Sequence, residues 1–186
     1  MNNISIDCDD LILRGYVLDD IESIYSITQE PEVKEYLPDW DVPKKQRMNW
    51  LENYEIPENQ QFQEAISSGG RIGDLRLRLA VISKTSGDLI GWCCSGIKEE
   101  IDPPNREIMF AIASRYQNKG YCTQATLGVI NYLFQNSDVE ALNAIARIDN
   151  IPSNRVIKKA GFDQVGLIEI EEEKFNRFML SKDKWK

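Results

Sequence analysis

The stretch Arg115-Tyr116-Gln117-Asn118-Lys119-Gly120-Tyr121-Cys122-Thr123-Gln124-Ala125 constrains the fold of this chain more than any other. An apolar, strand-like run, Arg106–Ala113, leads into it, and an amphipathic, helix-like run, Cys122–Gln135, leaves it. A chain that turns from a strand through a glycine into a helix leaves backbone N–H groups unpaired at the helix start, with roughly +0.5 of a charge from the helix dipole behind them. That is a cradle for an anion. Gly120 lets a phosphate approach the backbone and opens torsions closed to other residues. Arg115 and Lys119 add positive charge on the way in. The same residues also suit an ordinary connection with solvated basic side chains, so the rest of the chain must decide.

Hydrophobic periodicity orders the remainder. Leu11-Ile12-Leu13-Arg14 reads as a first strand. Asp19-Asp20 opens a helix with Ile21, Ile24, Tyr25 and Ile27 or Thr28 inward, which Pro31 is expected to stop. Lys44–Tyr54 reads as a second helix with Met48 and Leu51 inward. After a polar stretch and a Ser67-Ser68-Gly69-Gly70 loop, the period shortens to that of strands. Leu75–Ile82 and Leu89–Ile97 form a predicted antiparallel hairpin, and Arg106–Ala113 follows. The helix after the loop carries Thr126, Val129, Ile130 and Leu133 on one face, which is core spacing. Ala141–Ile148 is a further buried strand. Asn150 or Ser153 can cap a short helix over Asn154–Ala160, which Gly161 closes. Phe162–Ile170 and Lys174–Leu180 read as a last hairpin around three glutamates. The expectation is one mixed α/β domain spanning residues 1–186, with a sheet of about seven strands.

Composition narrows the chemistry. A net charge of -8 and a pI near 4.7 argue against nonspecific nucleic-acid binding and favour a cationic partner. No apolar run approaches the ~20 residues that span a bilayer, and the first residues lack the basic-then-apolar pattern of a secretory leader. A cytoplasmic protein with no membrane partner is expected, its thiols Cys8, Cys93, Cys94 and Cys122 free, since no C-x-x-C spacing occurs. The chain contains no histidine. Ser-His-Asp and Cys-His arrangements and histidine-ligated metals are therefore excluded, and any general base must be a carboxylate, a perturbed Cys, Tyr or Lys, or a held water.

Among carboxylates Glu107 stands out. It lies near the start of an otherwise apolar strand, where partial desolvation raises a carboxyl pKa and suits it to taking a proton from an ammonium. A pairing with Arg106 or Arg78 would make it merely structural. Residues 31–60, rich in aromatics and prolines, read either as a helical cap on the sheet or as a substrate wall in which Tyr36, Trp40, Glu32, Glu35, Asp39 and Asp41 meet a cationic amine. Cys93 and Cys94 must face opposite sides of their strand.

The order of elements, the Gln117–Cys122 loop and the segment Asn150-Ile151-Pro152-Ser153-Asn154-Arg155-Val156-Ile157-Lys158-Lys159-Ala160-Gly161-Phe162 resemble the GNAT acetyltransferase superfamily, in particular the branch of the ribosomal-protein N-terminal acetyltransferases. Pro31-Glu32-Val33, Tyr36-Leu37 and Trp50-Leu51 also resemble that branch. The resemblance implies a GNAT-like fold: a mostly antiparallel twisted sheet, one splayed parallel strand pair, and helices on both faces. It implies acetyl-CoA as co-substrate, its diphosphate held by Gln117, Asn118, Lys119, Gly120, Tyr121, Cys122 and Thr123. A bulged strand would offer Phe110, Ala111 and Ile112 to the pantetheine arm, opposite residues 145–148, with Asn150 and Ser153 on the far side. With an amine acceptor, the expected mechanism is direct transfer in a ternary complex, Glu107 acting as base directly or through water and backbone N–H near Ile112 holding the oxyanion. Two departures stand out: Cys122 occupies a position usually Gly or Ala, and Ile157 stands where many relatives carry a tyrosine acid, leaving Ser153, Tyr121 or water for that task. A non-catalytic acyl-CoA-binding module is the alternative from another class.

Overall fold

A computed structural model describing residues 4–185 turns each alternating run into a strand and each 3.6-period run into a helix. The strands are β1 (Ser5–Asp7), β2 (Leu11–Gly15), β3 (Leu77–Ser83), β4 (Leu89–Ile97), β5 (Arg106–Ile112), β6 (Ala141–Arg147), β7 (Asp163–Ile170) and β8 (Glu173–Ser181). The helices are α1 (Ile21–Thr28), α2 (Pro31–Tyr36), α3 (Lys44–Trp50), α4 (Ile56–Ser67), α5 (Tyr121–Asn136) and α6 (Ile151–Lys159). All eight strands join one sheet in the order β1-β2-β3-β4-β5-β6-β8-β7. Every neighbouring pair is antiparallel except β5 and β6. A parallel pair needs a crossover, and α5 supplies it. One strand more than expected is present: β1 is too short to show a period.

Strand alternation divides the sheet into two faces with separate cores. Ile108 and Ile112 of β5 join Val129, Ile130 and Leu133 of α5 on one face. On the other, Ala111 joins Ile21, Ile24 and Ile27 of α1 and Leu51, with Trp92 and Cys94 of β4. Cys93 belongs to the first core and Cys94 to the second, as alternation requires.

Several sequence expectations need correction. Pro31 opens a helix rather than merely stopping one, because it sits at the first helical position, where its missing N–H costs nothing. The helix beginning at Lys44 does not end at Tyr54 but passes through a π turn, Leu51–Glu55, into α4. Leu51 faces inward as expected, but Arg47 is more deeply buried than Met48. The family-implied bulge is absent from β5, which keeps register with β4 from Arg106 to Ile112. The register shift lies instead between β3 and β4, at Val81/Ile82.

Asn59 of α4 completes the sheet. Pairing of β2 with β3 ends at Gly15 opposite Leu79, leaving the Arg78 backbone edge open on that side. The Asn59 amide closes it: Oδ1 accepts from the Arg78 N–H at 2.9 Å, and Nδ2 donates to the Arg78 carbonyl at 2.7 Å. Asn59→Leu should therefore cost about 2–3 kcal/mol, the penalty of stranding two part-buried backbone groups. A lower urea midpoint at unchanged m-value is the expected reading.

Candidate active site

The loop before α5 is built to leave donors free. Asn118 and Gly120 both adopt left-handed backbone, φ 61° and 80°. The first helical acceptor in use is the Gly120 carbonyl, taking the Gln124 N–H at 3.0 Å. The backbone N–H groups of Asn118, Lys119, Gly120, Tyr121, Cys122 and Thr123 have no acceptor among the described residues, and no side chain caps the helix. A Cβ built on Gly120 would meet nothing within 4 Å, so the approach to these donors is open. The sequence-predicted mouth is thus unplugged.

Its surroundings are braced. Gln117 donates through Nε2 to the Ile112 carbonyl at 3.2 Å, so its side chain ties the loop to β5. Tyr116 donates its hydroxyl to Asp88 at 2.7 Å, which holds the Asp88 carboxyl below its usual range. Arg115 and Lys119 lie over the Tyr116 ring at 4.9 and 5.5 Å. Cys122 packs its partly buried side chain against the main core, and burial pushes its thiol pKa up. The sulfur is therefore accommodated inward.

Upstream of the loop, β5 and β6 part. Their pairing is confined to Glu107 opposite Asn143. The Ala113 N–H donates to the Ile90 carbonyl at 2.8 Å, toward β4. By alternation the Phe110 and Ile112 N–H groups point the other way, into the opening beside β6, where they have no strand partner among the described residues. Across that opening the β6–α6 turn carries Asn150 and Ser153. Asn150, not Ser153, is the cap: its Oδ1 accepts from the Ser153 N–H at 3.1 Å. Asn154, not singled out in the sequence, pins this turn. Its Nδ2 donates to the Arg147 and Asn150 carbonyls at 2.8 and 2.7 Å, and its Oδ1 accepts from Asn176 at 2.8 Å.

Glu107 lies on the face opposite α5 and lines a cleft of about 1280 Å³. Neither Arg106 nor Arg78 pairs with it: Arg106 donates to the Gly73 and Leu75 carbonyls, and Arg78 binds Glu55 and Glu58. Burial pushes the Glu107 carboxyl up to about 7, with Glu100 adding to that shift and Lys98 and the Ile145 N–H opposing it. Gly96 stands directly opposite on β4, and the Arg76 side chain occupies the space a Cβ there would need, its Cγ 2.9 Å from that position. Of the residues expected to face a cationic acceptor, Trp40 and Asp39 line this cleft. Three of the others are engaged elsewhere, Asp41 with Lys34, Glu32 with Ser114 and Tyr36 with Arg147, and Glu35 is exposed away from the cleft lining.

Residues 10–163 match the family model described as the acetyltransferase (GNAT) domain. The Bacillus subtilis (strain 168) protein called uncharacterized N-acetyltransferase YnaD is 23% identical over 159 residues, 86% of this chain and 82% of that one. The crystal structure of ribosomal-protein-S5-alanine acetyltransferase from Vibrio fischeri superposes with a TM-score of 0.74 at 17% identity, covering 98% of this chain and 99% of the other. AAC(6')-Ib, in complex with ribostamycin and coenzyme A, superposes with a TM-score of 0.71 at 16% identity, covering 95% and 96%. Among the described residues no helix is long and apolar enough to cross a membrane, and no group of three or more His, Cys, Asp or Glu could hold a metal ion.

Proposed function

Because the chain belongs to the GNAT acetyltransferase family, we propose that it moves an acetyl group from acetyl-CoA to a primary amine, a protein N-terminus or a small amine, with both substrates bound together. One observation carries this reading: β5 presents a half-buried carboxyl near one end, free N–H groups along its open edge, and the unpaired helix mouth beyond its other end. Acetyl-CoA supplies an acyl group activated as a thioester. Residues 118–123 hold its diphosphate through backbone N–H groups and the helix dipole, with Gln117 fixing the loop. The edge of Phe110, Ala111 and Ile112 takes the pantetheine arm, and Asn150 and Ser153 face it from the β6–α6 turn. Glu107 takes a proton from the incoming ammonium, directly or through water, and the Ile112 N–H holds negative charge developing on the carbonyl oxygen. Ser153 is within the chain's means as a proton donor to the departing thiolate, since Ile157 cannot serve.

The thiols support direct transfer over a covalent acyl-enzyme. Burial pushes Cys94, the cysteine lining the cleft, up to about 12, so its nucleophilic thiolate is scarce at neutral pH. Iodoacetamide at pH 7.5 should leave the rate of CoA release unchanged; progressive loss of activity that substrate protects against would favour a thiol intermediate instead. The broader test is CoA release from acetyl-CoA across a panel of amines. Amine-dependent release is the expected result, and tight acetyl-CoA binding with no release for any amine would favour the non-catalytic module.

A further inference from the structure

The cleft beside Glu107 contains a second polar centre that the acetyl-transfer chemistry does not use. Arg47, Leu51, Glu55 and Asn59 recur every four residues and all are buried. In an unbroken α-helix such a series would drift by about 40° at each step. The π turn at Leu51–Glu55, wider than an α turn, offsets that drift and keeps the four on one face. Arg47 thereby reaches the cleft wall with a side chain only 1% exposed, bound through Nη2 to Glu55. The indoles of Trp40 and Trp50 lie against its guanidinium at 5.3 and 5.9 Å.

That arrangement is incomplete as it stands. Nε and Nη1 of Arg47 have no hydrogen-bond partner among the described residues. Leaving a buried cation's donors unmade is costly. Arg76, also in the cleft wall and lying over Gly96 beside Glu107, has no ion-pair partner among the described residues. Two cations with donors to spare, in the cleft that holds the proposed base, match an acceptor with an anionic oxygen as well as an amine.

We propose that the acceptor is an amino-carboxylate, an amino acid or short peptide, whose carboxylate binds Arg47 through Nε and Nη1 once an indole shifts aside, with Arg76 flanking and the amine at Glu107. This rests on the acetyltransferase reading but makes a separate demand. Polyamines and aminoglycosides, which lack a carboxylate, would leave Arg47 unsatisfied.

The test compares kcat/KM for CoA release with matched pairs, each an amino acid or dipeptide and its C-terminal amide, in the wild type and in Arg47→Gln. Taking the acid-to-amide ratio in each protein, then comparing proteins, cancels the intrinsic reactivity of the amines. The ratio should fall about ten- to a hundredfold in Arg47→Gln, the range for a lost hydrogen bond to a charged group. Arg47→Met/Glu55→Met, which removes the pair without stranding a buried charge, should show the same fall if the single variant folds poorly. A ratio that stays the same in both variants overturns the proposal. Titration of tryptophan fluorescence with the same amino-carboxylates, without acetyl-CoA, gives a readout independent of turnover. A saturable response lost in both variants supports the subsite even if no CoA is released, a result that would defeat the acetyl-transfer reading alone. CoA release that ignores the carboxylate does the reverse.

Discussion

Gly120→Asp should raise the dissociation constant for acetyl-CoA by about a hundredfold or more, whereas Gly120→Asn should change it only a few-fold. Gly120 sits at φ 80°, and nothing lies within 4 Å of where a Cβ would be. Sterics therefore do not decide the outcome. Asn and Asp tolerate left-handed backbone better than other non-glycine residues, so both variants carry a similar conformational cost and should melt within a few degrees of each other. What separates them is one negative charge, set beside the free N–H groups of residues 118–123 where a doubly charged diphosphate must rest. At a separation of about 5 Å and an intermediate effective dielectric, that repulsion is worth a few kcal/mol. Calorimetric titration with acetyl-CoA measures it directly. Equal affinities for the Asp and Asn proteins would remove the loop from the cofactor site, whatever the family membership implies.

The loop was legible because everything it needs is local. A strand, a glycine and a helix adjoin in sequence, and unpaired donors follow from helix geometry alone. Glu107 was legible for a related reason: a carboxylate in an apolar run has few ways to stay solvated, and its raised pKa follows. The resemblance added the splay of β5 from β6, which no periodicity reveals, and it misplaced the irregularity, since the register shift lies on the β3–β4 pair. The region before β3 was harder to read. Pro57 lies just past the π turn inside one continuous helical run, where its missing N–H leaves the run one bond short. The inward side of the helical run from α3 to α4 is marked by Arg47, Glu55 and Asn59, so a search for apolar spacing passes over it. Each of the three is buried because of a partner distant in sequence or brought round by the π turn: Glu55 for Arg47, Arg78 for Glu55 and Asn59. Asn154 was missed likewise, because one of its three bonds goes to Asn176 on β8.

Glu107→Gln should separate catalysis from stability, and in opposite directions. A general base works only when ionised, so with a carboxyl near 7 the wild-type advantage over Glu107→Gln should be small at pH 5 and grow through pH 7. It should level off at a hundredfold or more above that, within the usual range for a positioned base. The acceptor's own ammonium titrates in both proteins and cancels from this ratio of kcat/KM values. The folding linkage has the other sign. The folded-state pKa of Glu107 is raised above the unfolded value of 4.5, so the native state binds its proton more tightly, and wild-type stability falls as pH rises from about 4.5 to about 7. Glutamine has no such proton to lose. The variant should match the wild type in acid and exceed it by on the order of 1–3 kcal/mol above pH 7, read as a higher melting temperature. A stability gain without a pH-dependent rate ratio would make Glu107 a buried carboxyl with no part in proton transfer. A rate ratio without the gain would mean that the acid ionises at little cost, solvated by water in the cleft rather than held in a dry wall.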